Sequence, residues 1–136
     1  MDQHTMANRA GIHRVRDVAT GADHAIVMMN LNQYTPAAEF PLGEPYRQYM
    51  QRLHGAVEAG GGKVLWQAPS EGQVIGCEHD AYDEVLAVWY PSHAAFLALP
   101  EAAGADAMFA GREKCVANAV IIALPADGPG LQGPAA

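Results

Sequence analysis

The chain has 136 residues, half of them hydrophobic, which supplies one modest domain with a real core and too little material for two. A formal charge of -7 and an isoelectric point near 5.2 leave no basic stripe of the kind that counterion release from nucleic acid requires. Neither nucleic acid nor an anionic membrane is expected as a partner.

The opening run MDQHTMANRAGIHRVRDVATGAD has no apolar stretch long enough for a signal sequence, and no later apolar run approaches a membrane span. A soluble, cytoplasmic protein is expected. Residues 1–23 read as an N-terminal extension, with ANRAGIHRVRDVA as a short helix across the domain. HAIVMMNL (24–31) is dense in apolar and β-branched residues and predicts a buried first strand, after which NQYTPAAEFPLGEP reads as a proline-rich loop. From about Glu44 to Ala59, Tyr46, Tyr49, Met50, Leu53, Ala56 and Val57 recur at helical spacing, with Arg47, Gln48, Gln51, Arg52 and Glu58 opposite. That is a one-sided amphipathic helix, and GGG at 60–62 ends it. A phosphate-binding loop is excluded there, because Lys63 is followed by Val64 and no hydroxyl stands ready for Mg²⁺.

KVLWQA (63–68) predicts the second strand; the turn PSEG and then QVIGC read as its kinked continuation or the return arm of a small hairpin. EVLAVWY (84–90) is the third strand, and PSH opens a helix with Ser92 as N-cap behind Pro91. Pro100 and Gly104 divide the following run into two helical pieces with a bend. CVANAVIIAL (115–124) is the last strand, and residues 125–136 form a flexible tail by composition.

This order, β-α-β twice over, predicts an α+β fold: a ferredoxin-like βαββαβ sandwich with a four-stranded antiparallel sheet over residues 24–124. A doubly wound parallel fold competes, but four strands and two main helices are few for it. In the sandwich, helices cover one face of the sheet only. Yet Val85, Ala87 and Trp89 alternate with Leu86, Val88 and Tyr90, so both faces are apolar. The sheet of a second copy is the simplest cover, which gives a homodimer whose paired sheets form an α/β barrel with room for a cavity.

VMMNL, YRQYM, AGGGKVLW, YDEVLAVWYPSHAAFLAL and AGREKCVANAVIIAL occur in an order and spacing that resembles the DUF1330 family of the dimeric α/β-barrel superfamily, from about Ala25 to Leu124. Asn30, Tyr49, Asp83, Tyr90, Pro91, Ser92 and Arg112 fall on that family's recurrent positions. Tyr82 departs from it where many members have Trp, and Gly111 where a His often precedes the Arg. The resemblance implies a fold and a dimeric habit more than a reaction. The wider superfamily includes cofactor-free monooxygenases, lactone isomerases, polyketide cyclases, heme proteins and regulatory ligand-binding domains, and fold alone does not choose among them.

The polar run CEHDAYDE (77–84) invites a metal or catalytic reading. Cys77 and His79 would need a third and fourth ligand. Only Cys115 or Asp80 could join, so no metal and no cofactor are expected, and both cysteines read as free thiols. Alternation along an extended chain also sends neighbouring side chains to opposite faces, so the members of this run do not all meet, although Cys77 and His79 could share one face. Arg112 with Asp83 or Asp80 makes a bidentate ion pair that fixes the last corner. In a functional version, Arg112 orients a carboxylate or enolate while Asp83 or His79 moves a proton. Asn30 and Asn118, in apolar strands, either satisfy each other or line a polar patch in the cavity. The candidate catalytic residues are therefore His79, Asp83 and Arg112, and the candidate substrate-binding residues are Asn30, Tyr49, His54 and Trp66. For the last three, core packing is the competing reading. No Gly-x-Ser-x-Gly elbow, His-Glu-x-x-His or Cys-x-x-Cys is present, so hydrolase and zinc-protease readings lack support. Two functions survive: a cofactor-independent isomerase, cyclase or monooxygenase acting on a small molecule, and a non-catalytic dimeric binding or accessory protein.

Overall fold

The computed structural model describes residues 8–134; the first seven residues of the N-terminal extension and the last two of the tail lie outside the described residues. Four strands, β1 (Ile26–Tyr34), β2 (Lys63–Pro69), β3 (Glu84–Tyr90) and β4 (Val116–Pro125), form one sheet in the order β2-β3-β1-β4. Every neighbouring pair is antiparallel. With α2 (Glu44–Ala59), α3 (His93–Leu97) and α4 (Ala105–Cys115) as connections, this is the ferredoxin-like βαββαβ arrangement expected from the sequence. A further helix, α1 (Arg9–Ala19), precedes the sheet and packs against α3.

Local chemistry accounts for most boundaries. Asn8 accepts from the Gly11 N–H to cap α1, and Ser92 accepts from the Ala95 N–H to cap α3. The α2 bounds match the amphipathic pattern, and the left-handed φ of 90° after the helix falls on Gly61, one residue beyond its cap. Two expectations need correction. β1 runs three residues past Leu31, into the segment read as loop, because Tyr34 pairs with Val116 and its hydroxyl finds a buried carboxylate. QVIGC is not a strand: residues 70–76 form an exposed loop in which Val74 and Ile75 are almost wholly in solvent.

Strand alternation places Ile26, Met28, Asn30, Asn32 and Tyr34 of β1 on the helix side, facing α2 and α4 together with Glu84, Leu86, Val88 and Tyr90 of β3. Leu86, Met108 and Val57 are fully buried there, each stabilising the fold by about 1.5–3 kcal/mol through burial. The opposite face carries Val27, Met29, Leu31, Trp66, Ala87, Trp89 and Ile122. Residues 126–134, read as a flexible tail, return over part of it: the Trp66 Nε1–H donates to the Gly130 carbonyl at 3.1 Å, and Gly133 lies against the Trp89 indole. Trp66 and Ile122 stay 41% and 47% exposed, so this apolar face is only partly covered within one chain.

Candidate functional site

Two cavities open on the helix side of the sheet. The larger, about 430 Å³, lies under α1 and is walled by Val15, Val18, Ile26, Met28 and Ala123. The smaller, about 240 Å³, lies between the sheet and the α2–α4 pair and is walled by Asn30, Asn32, Tyr49, Leu86 and Met108. Phe96, Arg112 and Ile121 line both, so the two adjoin. Both walls are mainly apolar, with a few polar groups set into them, as small-molecule sites are.

Arg112 reaches this place because it follows buried Met108 by four residues and precedes buried Cys115 by three, which aligns all three on the inner face of α4. α4 and α2 meet closely at Gly111, where a Cβ would make ordinary contact with Tyr49, 3.4 Å from its Cδ1. Among the described residues the ion pairs are Arg47–Glu44 and His93–Asp23, so the half-buried Arg112 guanidinium has no carboxylate partner there. Tyr49 is nearly fully buried, and burial pushes its hydroxyl up to about 12, with the Arg112 charge offsetting part of the rise. It therefore stays a neutral donor through the ordinary pH range. Asn30 donates its amide N–H to the Met28 carbonyl at 3.0 Å, which holds the side chain at the cavity wall.

At the other end of the same face, a second polar group is fully engaged. Glu84 is 3% exposed, and its carboxylate accepts the Tyr34 and Tyr46 hydroxyls at 2.6 Å each and the Gln67 amide at 3.2 Å. Asn32 donates to the Tyr34 hydroxyl at 3.3 Å, and Gln67 Oε1 meets His54 Nε2 at 2.8 Å. Burial, then the bond to Glu84, raises the Tyr34 and Tyr46 hydroxyls well above the usual phenol range.

Of the residues singled out in the sequence, Asn30, Tyr49 and Arg112 come together at the smaller cavity. The others lie elsewhere. Asp83 Oδ2 accepts from the Tyr34 N–H at 2.8 Å, its own N–H donates to the Asn32 carbonyl, and its carbonyl accepts from Ser70. It thus ties β3 to β1 and β2, and the expected Asp83–Arg112 ion pair is not formed. His79 sits on an exposed 3-10 turn (Glu78–Asp80), where Cys77 Sγ donates to Asp80 Oδ2 at 3.1 Å. His54 belongs to the Glu84 network, and Trp66 to the open face. Asn30 and Asn118 do not satisfy each other, since the register sends them to opposite faces; Asn118 donates to Gln33 Oε1 at 2.6 Å. Both cysteines are free, and among the described residues no cluster of His, Cys, Asp and Glu could hold a metal ion.

Sequence reading missed two groups. Glu84 passed as one member of a polar run, although alternation from Leu86, Val88 and Tyr90 puts it on the buried face, where a carboxylate demands partners. His93 passed as a helix-opening residue. It is 6% exposed and is among the residues that line the larger cavity.

No protein-family model and no curated protein matches the chain. Solved structures do. The RPA0582 protein of unknown function from Rhodopseudomonas palustris is 27% identical, with a TM-score of 0.73 over 94% of this chain and 100% of its own. Its methylated form gives 28% identity and the same TM-score over 96% and 99%. A dabb family protein with a ferredoxin-like fold from Mesorhizobium loti, 13% identical, has a TM-score of 0.56 over 77% of this chain and 99% of its own, a likeness of fold alone. The chain is an α+β protein with the ferredoxin-like fold of the dabb family protein, and among the described residues no helix is long and apolar enough to cross a membrane.

Proposed function

We propose that the paired cavities bind an apolar small molecule through an oxygen that carries or develops negative charge. Arg112 is its electrostatic anchor, Tyr49 donates a proton or hydrogen bond to it, and Asn30 completes the polar wall. The observation that carries this reading is Arg112 itself: a half-buried guanidinium, lining both cavities and lacking a carboxylate partner among the described residues. A buried charge is ordinarily paired, and a ligand oxyanion supplies the missing partner. Arg14 lines the larger cavity as well, which adds positive character to one cleft of a chain with net charge -7.

In this reading the protein is a cofactor-independent enzyme of the isomerase, cyclase or monooxygenase kind, related to the DUF1330 group that its sequence resembles. It works in the cytoplasm as a homodimer, the exposed Trp66 and Ile122 face meeting a second copy. The position of His79 and Asp83 away from both cavities supports a second reading, a non-catalytic binding protein using the same cleft. Calorimetric titration tests the anchor. Phenylpyruvate, an apolar anion, is expected to bind at least about tenfold more tightly than phenylacetone, its uncharged relative, and Arg112→Met abolishes that preference. Equal binding of both compounds by the wild type would exclude the anchor role. Sedimentation equilibrium tests the dimer: Ile122→Glu yields monomer if the open face is the contact.

A further inference from the structure

We propose that His93 is a general base of this cleft, held by Asp23 and the His24 carbonyl, and that the ligand is a carbonyl acid, a keto acid in the simplest case, from whose carbon His93 takes a proton. This rests on the reading of Arg112 as the oxygen anchor. It supplies the proton acceptor that neither His79 nor Asp83 provides at the cavity.

The geometry is specific. His93 Nδ1 lies 2.7 Å from the His24 carbonyl oxygen and 3.3 Å from Asp23 Oδ1. A carbonyl only accepts, so Nδ1 must carry the hydrogen. In the neutral ring Nε2 then holds the lone pair, and it has no hydrogen-bond partner among the described residues. With Nδ1 committed to the polypeptide, the polar atom that His93 can offer the cavity is Nε2. Asp23 is fixed in turn. Its Oδ1 accepts the N–H groups of His24 and His93 at 2.8 and 2.7 Å, and its Oδ2 that of Ala94 at 3.2 Å. Burial pulls the Asp23 carboxyl upward, but these three donors and the neighbouring His93 outweigh it and hold the group below its ordinary value. A carboxylate and a carbonyl oxygen thus set the tautomer and stand ready to stabilise an imidazolium, the role an orienting acid plays beside a catalytic histidine.

The step balances without an oxidant or reductant. Nε2 takes a proton from the carbon next to the ligand's carbonyl, and the C–H pair becomes a carbon–carbon double bond. The carbonyl π pair moves to oxygen as an enolate, whose charge meets Arg112, the cation that lines the same cavity as His93. Return of the same proton to that oxygen gives the enol and restores neutral His93.

Phenylpyruvate is the probe. Its methylene protons are followed by proton NMR in deuterium oxide with and without the full-length protein, and its binding is measured in parallel by calorimetry. The wild type is expected to accelerate exchange over the free-solution rate. His93→Gln is expected to lose at least about a hundredfold of that rate, the usual worth of a positioned base, with the Kd unchanged. Asp23→Asn, a change at a positioning residue, lowers the rate without moving the Kd. Binding without accelerated exchange, or wild-type exchange by His93→Gln, would overturn the role of His93 and leave the Arg112 anchor standing. Absence of binding, or a Kd indifferent to Arg112→Met, overturns the anchor and this proposal with it. Should His93→Gln fail to fold, nitrogen NMR of the wild-type ring decides: protonation at Nε2 in the neutral ring contradicts the assignment.

Discussion

Two polar regions share the helix side of one sheet, and they differ in whether their hydrogen bonds are complete. Around Glu84 they are: a carboxylate with almost no exposure takes three donors, and Tyr34, Tyr46, Gln67, Asn32 and His54 close the network. Around Arg112 the charge has no such counterpart: the half-buried residue lines both cavities beside the Tyr49 hydroxyl, with no carboxylate partner among the described residues. A saturated buried network fixes the fold, since any partner removed leaves the rest uncompensated. An unsaturated one beside open volume is where a ligand completes the count. Sequence alone makes the two look alike, as polar residues strewn among apolar ones.

The largest effect is expected where saturation is greatest. Glu84→Ala strands two phenol hydroxyls and an amide in the core, and should cost about 3 kcal/mol or more in urea unfolding, at roughly 1 kcal/mol or more per orphaned group. Loss of less than about 1 kcal/mol would erase the distinction. Alkali should act next. Tyr34, Tyr46, Tyr49 and Tyr90 all have folded values raised above the unfolded 10.0, chiefly by burial, with Tyr49 near 12. Groups shifted upward contribute stability that is complete below the unfolded value and lost as pH rises through the folded one. The urea midpoint should therefore hold steady to about pH 9 and fall steeply from there, and a flat profile into strong alkali would contradict burial of these hydroxyls. Tyr34→Phe removes one donor from Glu84 and should cost about 1–2 kcal/mol. His79→Ala, on an exposed turn, should change stability by under about 0.5 kcal/mol and leave phenylpyruvate binding alone.

Much of this was legible in the residues. The 3.6-residue period of α2, the Ser92 cap and the β-branched strands reported the elements, and their order reported the ferredoxin-like sheet. Asn30, Tyr49 and Arg112, three of the residues singled out, line one cavity, because the topology brings β1, α2 and α4 together. What stayed hidden depends on register. Whether Asp83 or Glu84 points into the core is a matter of one position, and a one-residue difference sends a side chain to the opposite face. Asp83 consequently drew attention as the partner of Arg112, while the neighbour on the buried face went unread. His93 was hidden differently. Its significance lies in the loop residues Asp23 and His24, about 70 positions away in sequence, whose approach comes from the antiparallel pairing of β1 with β3, Ile26 opposite Tyr90. QVIGC had strand composition but no partner strand, and Val74 and Ile75 stand in solvent accordingly.

The contrast rests on Arg112 being a binding group rather than a structural one, and a single paired experiment on Arg112→Met addresses it most directly. Urea unfolding and calorimetric titration with phenylpyruvate are measured on the same preparation. The account predicts stability within about 1 kcal/mol of wild type, with binding weakened at least about tenfold. A stability loss as large as that of Glu84→Ala, with phenylpyruvate bound as before, would contradict it.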